Sequence, residues 1–304
     1  RSPSRGLGDV YKRQVFTCTA TNIPLLYIGA KIKFADVDPK TMNICITSLK
    51  KLISKKTKAI VCVHYGGIPC DMSAIRKLAK KYKVKVIEDA AQALGAEYNN
   101  KKIGDISDFT TFSFQAIKHI TTGDGGMLCI KDSKLIDAAK RMRWFGIDRK
   151  KKQLGVWEND VKEIGYKYQL TDLGASIGYQ GLLDFKKILA HRIKINNIYL
   201  KNLSKNPNIT CIYDHDRKKK SAAWLFTILI EKKDYLQKKL REKNIETNQV
   251  HFRNDKYSIF KKFAKNQKFK NMDKIEDHYL VLPIHTKVSK EDAEYICKLI
   301  NSYI

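Results

Sequence analysis

From residue 30 onward, apolar and polar positions switch between the period of a strand and that of a helix. AKIKFADVD (30–38) alternates and predicts a strand that ends in acids. TKAIVCVHYGG (57–67) is a continuous apolar run closed by two glycines, which predicts a buried strand. DMSAIRKLAKKY (71–82) carries its apolar residues at helical spacing behind Asp71, whose carboxylate suits an N-cap. VKVIEDAAQ (84–92) predicts the next buried strand. Solid apolar strands separated by amphipathic helices imply an α/β protein with a mainly parallel sheet covered on both faces. In such sheets functional groups gather beyond the carboxyl ends of the strands. Glu88, Asp89 and Gln92 fall at one such end.

FTTFSF (109–114) and GGMLCI (125–130) predict two short strands joined by a loop that holds Lys118. Residues 171–205 keep a helical pattern, either one long helix or two in series. WLFTILIE (224–231), DYLQKKLREKN (234–244) and KEDAEYICKLINSYI (290–304) then predict a smaller α+β unit. The expected division is a large domain over 15–195 and a small C-terminal domain over 196–304. The opening RSPSRGLGDVYKRQ shows neither period, and VFTCTATNIP begins abruptly in mid-pattern. Residues 1–14 therefore read as non-native sequence, with the natural chain expected to start upstream of Val15.

The formal net charge of +28 raises the question of nucleic acid. The lysines are spread evenly among Ile and Asn on helix-like segments, and no nucleic-acid motif accompanies them. A general pull on anionic ligands is expected instead, with no nucleic-acid partner. Apolar runs such as LLYIGA and AAWLFTILI are too short to span a bilayer, and no secretory pattern opens the chain. A cytoplasmic protein with no membrane partner is expected. The seven cysteines contain no CxxC and suit buried reduced thiols; Cys62, His64 and Cys70 match no usual zinc spacing, so no metal is expected.

One constellation carries chemistry. Asp89 ends a buried strand, which is costly for a carboxylate without a cationic partner. Lys118 follows in a loop after another strand of what should be the same sheet. Ser113 and the small residues 121–126 surround it with hydroxyls and backbone N–H groups. Singly, each has a plainer reading: Lys118 as a solvated surface lysine, Asp89 as a strand-end cap. Together they match the needs of pyridoxal 5′-phosphate, whose ring nitrogen wants a carboxylate and whose aldehyde wants a lysine.

The chain resembles the DegT/StrS-type (DegT/DnrJ/EryC/StrS) sugar aminotransferases, pyridoxal-phosphate enzymes of fold type I. The resemblance runs through TCTATNIPLLYIGAKIKFADVDPKTMNI, VHYGGIPCDM, IEDAAQALGAEY, FSFQAIKHITTGDGGMLCI, EIGYKYQLTDLGASIGYQGL, HFRNDKY and LPIHTKVSKEDAEYI, essentially all of 15–304. It implies that Lys118 carries the cofactor as a Schiff base and Asp89 pairs with its ring nitrogen. Gln92 would lie beside the ring and its phenolic oxygen, and Ser113 would hold the phosphate. It also implies a homodimer with sites at the interface, in which Lys167, where relatives often have asparagine, reaches the neighbouring subunit's phosphate. Cys18 stands where relatives place a ring-stacking aromatic. Relatives bind the phosphate with a helix start upstream of residue 15, so weakened cofactor binding is expected of this chain. The implied reaction moves an amino group from an amino acid, glutamate being expected, to a keto group of a nucleotide-diphosphate sugar for surface polysaccharide or glycan synthesis. Two alternatives are a sugar dehydratase of the same family and a non-catalytic regulatory or nucleotide-binding homologue. Dehydratase relatives replace the lysine by histidine; Lys118 argues against that, and His119 is one position off.

Overall fold

The computed structural model describes residues 10–155 and 160–304. Its first half alternates strand and helix: β1 (Val10–Gln14), α1 (Ile23–Tyr27), β2 (Lys31–Ala35), α2 (Ile46–Leu52), β3 (Thr57–Val63), α3 (Met72–Tyr82) and β4 (Lys85–Asp89). A short ribbon, β5 (Glu97–Tyr98) with β6 (Lys101–Lys102), precedes β7 (Phe109–Ser113) and β8 (Gly126–Ile130). The main sheet has the order β2-β1-β3-β4-β7-β8, and every neighbouring pair is parallel except β7 with β8. Asp71 caps α3 by accepting from the Ala74 N–H at 3.0 Å, and Lys83 closes that helix in the left-handed region at φ 53°.

Beyond the sheet come α4 (Ile136–Met142), α5 (Arg149–Gln153) and α6 (Asp172–Leu203). The helical pattern at 171–205 is thus one helix, 32 residues long, started by the Thr171 hydroxyl on the Gly174 N–H. β9 (Thr210–Cys211), β10 (Lys219–Lys220), β11 (Phe226–Leu229), α7 (Lys233–Arg241), α8 (Ser258–Ala264), α9 (Lys270–Ile275), β12 (Tyr279–Leu282) and α10 (Lys290–Tyr303) complete the chain. β12, β11 and β9 make a second, antiparallel sheet, while β10 extends the β5–β6 ribbon. α10 begins with a capping box between Ser289 and Asp292. No helix among the described residues is long and apolar enough to cross a membrane.

Three buried clusters hold these elements together. Leu49, Ile60, Met72, Ile75 and Val86 join α2 and α3 to β3 and β4. Ile195, Tyr199 and Leu203, from the last third of α6, pack with Phe226, Leu280, Ile296 and Ile300 over the small sheet. The third cluster sets Phe16, Ile32 and Phe34 against Phe260, Met272 and Ile275, so α8 and α9 fold back onto the edge of the large sheet. Asp36, just past β2, fixes that return by accepting from the backbone N–H groups of Asn271 and Met272 at 2.9 and 3.1 Å.

The N-terminal segment departs from the sequence reading. Residues 10–14 were set apart from the fold, yet they form β1, paired on one side with β2 and on the other with β3; residues 1–9 lie outside the described residues. The sequence pattern hides this strand because Lys12, Arg13 and Gln14 are polar and all buried, at 3%, 3% and 0% exposure. Ladder hydrogen bonds use the backbone alone, so β1 is held between its neighbours and carries these side chains inward. Gln14 is satisfied there, donating to the Phe16 carbonyl at 2.9 Å and accepting from the Val63 N–H at 3.1 Å. Lys12 is not so well placed: burial, and then the nearby charge of Lys33, push its amine down to about 8.

A buried ammonium of this kind costs stability wherever it is still protonated. Lys12→Met should raise the unfolding free energy at neutral pH by about 1–3 kcal/mol. In the unfolded chain Lys12 binds its proton up to its ordinary value of 10.5, whereas in the fold it releases it near 8. The advantage of Lys12→Met should therefore be full below pH 8 and fade toward pH 10.5. Denaturant titrations of both proteins across that range check the sign; an advantage independent of pH would remove Lys12 as the cause.

Candidate active site

Consecutive residues of β4 point to opposite faces of the sheet, so Glu88 and Asp89 part company. Asp89, the last residue of β4, is paired in register with Val63, the last residue of β3, and with Thr111 in the middle of β7. Its Oδ1 accepts from the Ala91 N–H at 3.1 Å, which turns the chain back toward Gln92. Gln92 is buried, with Oε1 accepting from the Gly66 N–H at 2.7 Å and Nε2 lying 3.0 Å from His251 Nε2. Because the Gln92 oxygen is already committed to Gly66, its amino group faces the histidine and donates to it. His251 is therefore neutral with a lone pair on Nε2. Burial, and then the Lys118 charge, push its pKa down to about 4.

Lys118 lies in the loop from β7 to β8, its backbone N–H donating to the Gln115 carbonyl at 2.9 Å. Its Nζ sits 4.0 Å from the centroid of the Trp224 ring. Burial lowers the pKa of this amine, while the charges of Asp89 and Cys18 oppose the shift. The neighbouring His119 is turned elsewhere: its Nε2 donates to the Ala222 carbonyl at 2.8 Å and its ring meets Phe185 edge-on. Burial lowers the His119 pKa to about 4, so it is a neutral tether for the loop.

The loop is seated on α6, and the sequence shows how. Gly174, Gly178 and Gly181 are spaced four and three apart and share one helix face. A Cβ on Gly178 would lie 2.6 Å from Thr122 Cγ2, and one on Gly181 would lie 3.0 Å from Ile120 Cγ2. The missing side chains let residues 120–122 lie against the helix. Thr121 Oγ1 accepts from the Gly123 N–H at 2.9 Å, and Ser113 Oγ accepts from the Gln115 N–H at 3.3 Å, keeping its own proton to donate.

Of the residues singled out in the sequence, Lys118, Asp89 and Gln92 converge, with Ser113 at the root of the same loop. Lys167 does not join them in this chain. It is exposed, bridged through its backbone to Trp144, and its Nζ lies 3.7 Å from the centroid of that ring. Trp224 and His251 come from the distant C-terminal half; His251 opens the HFRNDKY stretch, but the sequence assigned neither residue a role at this site. Arg13 of β1 is a further neighbour of Asp89. Burial pulls its guanidinium down to about 10, Asp89 opposes that shift, and its Nε and one Nη atom have no hydrogen-bond partner.

The donor set fits pyridoxal phosphate. An amine partly stripped of water faces a carboxylate at a strand end, a buried carboxamide lies beside it, and a hydroxyl stands at the loop root. A lysine in a β7–β8 loop, near an aspartate at the end of a parallel strand, is an arrangement that suits a pyridoxal-phosphate enzyme of fold type I. The comparisons carry this further. The chain belongs to the DegT/DnrJ/EryC1/StrS aminotransferase family, whose model matches residues 13–301. It is 34% identical to the UDP-4-amino-4,6-dideoxy-N-acetyl-β-L-altrosamine transaminase of Campylobacter jejuni, over 92% of this chain and 75% of that protein. It is 32% identical to the GDP-perosamine synthase of Escherichia coli O157:H7, over 97% of this chain and 79% of that protein. The sugar aminotransferase CalS13 of Micromonospora echinospora has a similar structure, with a TM-score of 0.92 at 28% identity, over 99% of this chain and 82% of that one. Pyridoxal 5′-phosphate is the cofactor.

The glycine face of α6 gives a direct test of the site's packing. Gly178→Val should press on Thr122 and lower stability by about 1–3 kcal/mol, with Lys118 labelled faster by an amine-reactive probe as its loop lifts. Denaturant melts with peptide mapping measure both effects; unchanged stability and labelling would show that the close approach is unimportant.

Proposed function

We propose that this chain transfers the amino group of an amino acid, glutamate being our choice of donor, to the keto group of a nucleotide-diphosphate sugar. The observation that carries this reading is Lys118 Nζ held against Trp224 with Asp89 as its charge partner. The products of the relatives named above are amino sugars on UDP or GDP, which supports the substrate class and leaves the nucleotide to be chosen by assay. Surface polysaccharide or glycan synthesis is the process such products would feed.

When bound, pyridoxal phosphate supplies an aldehyde that carries the amino group and a ring that takes up the electrons of a broken C–H bond. Lys118 provides the nucleophilic amine and then the base for the donor's α-proton. An ordinary lysine is neutral about once in 2,500 molecules at pH 7, and the lowered pKa of Lys118 raises that fraction. Asp89 holds the proton of the ring nitrogen. Gln92, fixed by Gly66 and His251, offers its carboxamide beside the ring, and Ser113 donates to the phosphate. A dehydratase reading finds no support here, since a lysine stands at the key position and His119 is tied to Ala222.

The same reading includes a second copy of the chain. Leu173, Ile177, Leu182 and Leu183 on the first half of α6, with Ile164 and Tyr168 before it, are exposed apolar side chains in the same part of the chain as Lys167. An apolar face of this kind calls for a partner. A homodimer would cover it and allow Lys167 to reach the phosphate of the neighbouring site.

Borohydride reduction of the loaded protein and peptide mapping should place the pyridoxyl group on Lys118; a label on another lysine would sink the assignment. Asp89→Asn should retain cofactor yet lower transamination of keto-sugar nucleotides by about a hundredfold or more. Full activity in that variant would remove its proposed role. Light scattering should give the mass of a dimer, and Leu173→Glu/Leu183→Glu should give a monomer. A monomeric parent protein would refute the shared interface.

A further inference from the structure

Glu88 is completely buried on the sheet face opposite Asp89, and nothing in the proposed chemistry uses it. Its Oε2 accepts from His64 Nε2 at 2.9 Å and its Oε1 from the Thr110 hydroxyl at 3.3 Å. His64 is equally buried, and its Nδ1 accepts from the Cys70 N–H at 3.0 Å. That backbone donor sets the ring so that its Nε2 proton points at Glu88. Burial disfavours the imidazolium, but Cys70 and Glu88 more than offset it and raise the His64 pKa to about 10. Burial disfavours the Glu88 carboxylate, but the His64 hydrogen bond, with smaller help from Ser107 and Thr110, more than offsets it and keeps the group ionised.

Between His64 and Cys70 runs the turn Tyr65-Gly66-Gly67. Gly66 and Gly67 have φ of 63° and 89°, and a Cβ on Gly67 would lie 2.9 Å from the Gln92 carbonyl. The Gly66 N–H fixes the Gln92 carboxamide at 2.7 Å. The Gly66 carbonyl accepts from the N–H groups of Trp224 and Leu225 at 3.0 and 3.2 Å, and the Gly67 carbonyl accepts from Ala222 at 3.0 Å. One turn therefore orients Gln92 and suspends the segment whose indole covers Lys118. His64, the residue that leads into it, is held by Glu88.

We infer that the buried His64–Glu88 pair is the positioning element of this site, setting Gln92 and the Trp224 cover of Lys118 through the Tyr65-Gly66-Gly67 turn. Its importance to catalysis rests on the reading of Lys118 given above. The geometry itself does not, so the test uses cofactor-free protein, where a wrong assignment of Lys118 leaves the readouts intact.

Of the three tryptophans, Trp224 alone remains in a Trp144→Phe/Trp157→Phe background, and its emission reports the cover. The pH profile of Lys118 acylation, read by peptide mapping, reports the amine, which faces Asp89, Cys18 and His251. Glu88→Ala should shift the emission to the red and raise the labelling midpoint by about one pH unit as water reaches Lys118. Glu88→Gln should behave as the parent protein, because its oxygen can face His64 while its amino group donates to the Thr110 hydroxyl. Thr110→Val removes a bond to the same carboxylate but does not touch the turn, so it should lower stability with both readouts unchanged. If Glu88→Ala fails to fold, His64→Leu/Glu88→Leu removes the pair without leaving a lone buried charge and should show the same two shifts. Parent-like readouts in the folded disrupting variant, or equal shifts in Thr110→Val, would overturn the inference.

Discussion

The site depends on one constraint: an amine must be kept partly out of water while a carboxylate stands close enough to answer it. Neither condition is free. Desolvation of Lys118 is destabilising by itself, and it persists only because surrounding elements are fixed independently of it. β4 and β7 supply the carboxylate and the loop root from neighbouring parallel strands. The glycine face of α6 supports the loop from beneath, and the segment around Trp224 closes it from above. The fold brings four separate pieces of the chain to one amine.

Three histidines complete that arrangement. His64, His119 and His251 are all buried, or nearly so, and each has a committed partner: Glu88 and the Cys70 N–H, the Ala222 carbonyl, and the Gln92 amino group. His119 and His251, both lowered to about 4, act as neutral polar connectors, while Cys70 and Glu88 outweigh burial and raise His64 to about 10. Arg13 is the discordant member of the pocket. Its guanidinium competes with Lys118 for the field of Asp89 while two of its nitrogens go unbonded, a poor use of a buried cation.

Local pattern revealed what is local. The apolar runs at β3 and β4 and the Asp71 cap all concern residues a few positions apart, and strand, helix and cap obey short-range rules. Asp89, Gln92, Ser113 and Lys118 were legible because they lie within 30 residues along two strand ends of one sheet. Trp224 and His251 were not, since their roles arise from contacts across more than 100 positions. The strand at 10–14 was hidden for the opposite reason: its polar side chains contradict its place, and only backbone pairing with β2 and β3 reveals it.

α6 has one further consequence. Its 32 residues form a rod about 48 Å long. Its first half carries the glycines under the lysine loop, and its last turns carry Ile195, Tyr199 and Leu203 into the core of the small sheet. A continuous helix resists bending, so it acts as a shared beam and not as a hinge. Adaptation to sugars of different size therefore falls to the loops and side chains around the pocket, with the beam holding the reactive amine at a fixed height.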